Sequence, residues 1–102
     1  MPRHEPSSLP VEIFAQGVNG WIIRTPGRRF PALVIQGDSF HSLFALAQSL
    51  LDRARLSDSP DSELVEEAEE LRDALWSRLS AYEETLAMHE LERPYNRIAQ
   101  PE

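Results

Sequence analysis

The chain has 102 residues, a net charge of −7, no cysteine and 41% hydrophobic residues, a size and balance that suit one modest globular domain. The acidic balance argues against nucleic acid or an anionic membrane as partner, because both need a basic footprint. No apolar run approaches the roughly 18 residues of a membrane span, the polar start Met1–Ser8 is not a secretory signal, and the lack of cysteine fits a cytoplasmic location without disulfides.

Residues 1–9 hold two prolines and are expected to be a disordered tail, with a single domain over 10–95 and a second tail over 96–102. Val11–Gln16 alternates as a short strand, with Val11, Ile13 and Ala15 on one face. Asn19-Gly20 is a strong hairpin signal, because both residues tolerate positive φ. Trp21–Thr25 is the returning strand, and Pro26-Gly27 predicts a type II turn. Ala32–Gln36 is a near-continuous apolar run, as expected of a central strand buried on both faces. Gly37 breaks that run, and Asp38 or Ser39 is placed to cap a helix.

That helix carries Phe40, Leu43, Phe44, Ala47, Leu50, Leu51 and Ala54 as an apolar stripe. A short connector, Leu56–Ser62, favours an antiparallel helical hairpin. The second helix is expected from about Asp61 to Glu90, roughly 45 Å at the usual helical rise. Leu64, Ala68, Leu71, Leu75, Leu79, Tyr82 and Leu86 form its main stripe, so they are its expected core face. Val65 and Trp76 widen that face on one side, and Ala74, Ala81 and Met88 widen it on the other. Such a helix exceeds its partner in length and needs further cover, from the sheet or from a second chain. Pro94 ends it, because the residue before a proline disfavours helical conformation. The fold class is therefore α+β: a three-stranded antiparallel meander followed by an antiparallel helical hairpin.

The residues that bear chemistry are sparse. His4 lies in the tail, and His41 follows Asp38 by three residues, a spacing at which a carboxylate can orient an imidazole. Neither has a nucleophile or further ligands at a diagnostic spacing. Gln36–Ser39 lacks the lysine and second glycine of a phosphate loop, and no nucleophile elbow surrounds Ser39 or Ser42. Arg28-Arg29 beside a turn could grip an anion or an acidic surface. The five glutamates between Glu63 and Glu70 fall largely opposite the apolar stripe and are expected to face water. Trp76 is either core against the sheet or interface with another chain, since a large aromatic suits both. No metal, cofactor or catalytic residue is expected.

With these residues laid out, the chain resembles a family of small bacterial proteins known only as a domain of unknown function. The resemblance rests on Gly27-Arg28-x-Phe30-Pro31 and Ile35-Gln36-Gly37-Asp38-Ser39. It continues in Tyr82-Glu83-x-x-Leu86-x-x-His89 and closes with Pro94-Tyr95. Where that pattern has glycine after the histidine, this chain has Glu90. The resemblance implies a compact bacterial domain and brings no established activity. It draws attention to Arg28, Gln36, Asp38, His89 and Tyr95, which together with Arg29 and Trp76 are the candidate partner-binding residues. The leading expectation is a non-catalytic interaction module, such as an immunity or antitoxin-like protein that binds a basic partner. A small-molecule site rimmed by Arg28, Asp38 and His89 is the alternative, and a homodimer through the long second helix is a third.

Overall fold

The computed structural model describes residues 5–18 and 20–96. His4, Ile98 and one expected turn residue, Asn19, lie outside them. The elements run β1 (Glu12–Gly17), β2 (Gly20–Arg24), β3 (Ala32–Val34), α1 (Gly37–Arg55) and α2 (Ser62–Met88). Contacts gather the chain into two compact units divided between Gln36 and Gly37.

The first unit is an antiparallel meander in the order β1-β2-β3, as the strand and turn signals imply. Gly17 pairs with Gly20 across the hairpin, so the connection lies between the glycines rather than at Asn19-Gly20. Gly20 takes φ +151°, and a Cβ there would come within 2.6 Å of the Val34 carbonyl oxygen. Only glycine lets β3 run so close. Gly27 has φ +81° and the Arg28 N–H donates to the Thr25 carbonyl at 3.2 Å, which completes the expected type II turn.

The middle strand is β2, not the apolar run that suggested a central strand. That run forms β3, an exposed three-residue edge. Short aliphatic runs cannot distinguish a buried strand from an edge by pattern alone. Cross-strand pairing holds this unit: Arg24 meets Glu12 through two hydrogen bonds of 2.8 and 2.9 Å. The Arg24 guanidinium also lies 5.3 Å from the Phe14 ring centroid. Its hydrogen bond holds the Glu12 carboxyl below the usual carboxylate range. Phe14 sits where the register shifts between Ile13 and Ala15, a local bulge.

The second unit is the helical hairpin. Helix α1 includes Gly37 in its first turn, because the glycine is packed rather than merely flexible: a Cβ on it would overlap the Tyr82 hydroxyl and ring. Helix α2 starts at an Asp61 cap, whose carboxylate accepts the Glu63 and Leu64 N–H groups at 3.0 and 3.3 Å. At its other end the Glu90 N–H donates to the Ala87 carbonyl, and the Leu91 N–H to the Leu86 carbonyl at 2.8 Å. These two bonds make a Schellman stop. Its left-handed position is Glu90, φ +60°, a conformation that glycine adopts most readily.

Among the described residues, every buried side chain belongs to the hairpin: Phe44, Ala47, Leu51, Arg72, Leu79 and Glu83. Phe44 meets Trp76 with ring centroids 5.3 Å apart, so Trp76 packs within the hairpin.

Candidate functional site

The α2 face turned towards α1 carries Arg72, Leu79 and Glu83, spaced by seven and four residues and all buried. The expected core stripe is therefore rotated. Leu79 keeps its place, but Leu64 and Leu71 are 54% and 51% exposed. Arg72 is held at the helix–helix contact by its own hydrogen bonds. Its Nε donates to Asp73 and its Nη1 to Gln48 Oε1 at 3.2 Å, while Gln48 passes a further bond to Asp52 at 3.0 Å. A buried guanidinium requires such partners. Arg55 and Glu69 add an ion pair across the hairpin at 3.2 Å.

The rotation leaves a lateral apolar surface. On α1 it comprises Leu43, Leu46 and Leu50, each about half exposed, at a spacing of three and four residues that holds them on one side. Leu43 and Leu50 were expected in the core. Near the connection between the helices, Ala47, Leu50 and Ala54 meet Leu64, Ala68 and Leu71 in a groove of about 560 Å³. Arg53 and Glu67 stand at it as its charged groups.

A polar cluster closes the opposite end of the hairpin. After the α2 stop the chain returns, and Tyr95 stacks on His41 with centroids 4.0 Å apart and an interplanar angle of 13°. The Tyr95 hydroxyl donates to Glu83 Oε2 at 2.8 Å. Burial first, and then the Glu83 carboxylate, push that hydroxyl far above the ordinary phenol range. It remains a proton donor at neutral pH rather than a base. His41 Nε2 is buried without a hydrogen-bond partner among the described residues, so stacking holds the ring. The cluster therefore acts as a clasp that pins residues 91–95 to the two helices. No group of three or more His, Cys, Asp or Glu side chains able to hold a metal occurs among the described residues.

The candidate residues are dispersed accordingly. Arg28 and Gln36 are exposed in the first unit, and Arg29 lies with its guanidinium 5.3 Å from the Phe30 ring centroid. Asp38 does not orient His41; its carboxylate accepts the Ser39 N–H at 2.8 Å and its carbonyl accepts the Ser42 hydroxyl. His89 is the C-terminal cap of α2, its N–H bonded to the Thr85 and Leu86 carbonyls. Tyr95 alone among them enters the clasp. Arg72 and Glu83 are buried contact residues that the sequence does not advertise, because a charged side chain in a Leu-rich helix ordinarily faces water. Their periodicity with Leu79 was the available signal. Glu66 and Glu70 face water as expected, and Asp73, Ser77 and Glu84 continue that exposed face.

No helix among the described residues is long and apolar enough to cross a membrane. No curated protein and no solved structure matches the chain. A family model does match, over residues 6–95, a span that takes in both units, the clasp and the Schellman stop. The chain belongs to the family of unknown function DUF6959.

Proposed function

We propose that this chain is a non-catalytic protein-interaction module whose helical hairpin supplies the docking face. The observation that carries the reading is the groove: Leu50, Leu64 and Leu71 stand side by side, each more than half exposed. A contiguous apolar surface of this kind is costly to leave in water and marks an interaction site. The expected residues Arg28, Gln36 and Asp38 are exposed and do not line the groove. An immunity or antitoxin-like role is one form such a module takes, with the exposed Glu63, Glu66 and Glu70 meeting basic groups beyond the groove.

The test places a photoreactive residue at Leu71 and, as a control, at exposed Glu84, in cells of the native host. The reading expects a protein crosslink, to another copy or to a different chain, from position 71 and not from 84. Equal yields from both positions, or none from 71, overturn it.

A further inference from the structure

We propose that the groove is filled by a second copy of this chain, which turns two hairpins into a four-helix assembly. The inference rests on the docking reading above and names its occupant. Its warrant is the charge at the groove. Arg53 from α1 and Glu67 from α2 both line it, and neither makes an ion pair with a described residue. One cation and one anion on facing helices form a self-complementary pattern. A groove built for a basic partner would gain nothing from Arg53, which repels it.

The geometry follows from the hairpin. Gln48 meets Arg72 and Phe44 meets Trp76 across the hairpin, and the same antiparallel register continued towards the connection brings Arg53 opposite Glu67. They therefore stand at nearly the same level. A two-fold axis parallel to the helices lays α1 of one copy over α2 of the other. Arg53 then meets the partner's Glu67, and the same pair forms twice, as an isologous interface requires. Leu50 comes over the partner's Leu71 at the same time, and the half-exposed leucines become the interior of a bundle. The hairpin supplies few fully buried apolar side chains of its own, namely Phe44, Ala47, Leu51 and Leu79. Pairing extends that core without a new element.

Sedimentation equilibrium of the full chain tests this with charge exchange. The wild type is expected to be dimeric, and Arg53→Glu and Glu67→Arg each to weaken association by roughly tenfold or more, because like charges then oppose each other twice. The double variant restores the wild-type constant. A one-to-one mixture of the two single variants associates more tightly than either alone, which a mere loss of folding does not produce. A monomeric wild type, single variants that dimerise unchanged, or a mixture without recovery overturns the proposal. If the chain is monomeric while position 71 still crosslinks a different protein, self-pairing is overturned and the docking reading stands. If it is monomeric and position 71 captures nothing, both fall.

Discussion

Trp21, Ile22 and Ile23 in β2 are as apolar as Phe44, Ala47 and Leu51 in α1, yet the first three remain partly exposed and the last three are buried. The difference lies in what each element meets within its own unit. Two helices provide two surfaces that can close on each other, whereas strands in a single sheet lie side by side and leave their faces uncovered by one another. Cross-strand pairs such as Arg24 with Glu12 order the sheet. They do so in water, where an ion pair adds little. The hairpin is thus the part of the molecule where side-chain packing dominates, and it also carries the groove and the clasp.

The sharpest way to break this comparison is truncation on each side of it. Phe44→Ala should lower the unfolding free energy by about 3–5 kcal/mol in urea titrations, since a fully buried ring is lost and a cavity remains. Ile13→Ala, in a half-exposed sheet position, should cost about 1 kcal/mol or less. Equal losses would show that the sheet is as tightly packed as the hairpin.

The buried guanidinium gives the next largest effect. Arg72→Ala should cost about 2 kcal/mol, through lost packing and the lost bond to Gln48. Arg72→Met should stay within about 1 kcal/mol of the wild type, because it restores volume without a charge to desolvate. Denaturant midpoints of the two variants decide whether the site needs the charge or only the bulk.

Glu90→Gly should raise stability by about 0.5–1 kcal/mol, because it relieves a side chain held at φ +60° in the helix stop. Thermal unfolding of the pair would register this as a higher midpoint for the glycine variant. A lower midpoint would mean that the glutamate makes a compensating contact.

The smallest effect concerns the clasp and appears only in alkali. The Tyr95 hydroxyl is raised in the folded chain above its ordinary value near 10. Its contribution is therefore complete below pH 10 and is lost as the pH climbs towards the folded value. Denaturation midpoints should fall with rising pH above 10 in the wild type and fall less steeply in Tyr95→Phe. Parallel slopes would remove the Glu83 bond from the account.

Much of this architecture was legible locally. Alternation marks β1, β-branched and aromatic residues mark β2, an apolar run marks β3, Pro26-Gly27 marks its turn, and the three-and-four spacing marks both helices to within a few residues of their ends. Local pattern did not give the rotation of α2. A stripe of leucines marks an amphipathic face but not which edge of it meets the neighbouring helix, and here the contact runs through Arg72 and Glu83. The groove is the consequence, since Leu64 and Leu71 were assigned to the core. The clasp was half visible. Tyr82-Glu83 and Pro94-Tyr95 stood out by resemblance, but the stacking of Tyr95 on His41 joins residues 54 positions apart, which no local spacing reveals. Glu90 stands at positive φ in the helix stop, a position that glycine suits and that no local pattern in this chain marks.

The central claim is that the Leu50–Leu64–Leu71 surface serves docking rather than the stability of the single chain. Thermal unfolding of the wild type and Leu71→Glu over a wide range of chain concentrations tests it most directly. The account predicts a difference in midpoint that is nil or that closes on dilution, because only an associated partner can stabilise the wild type through this face. A large difference that persists unchanged at every concentration would contradict it and make the groove part of the chain's own core.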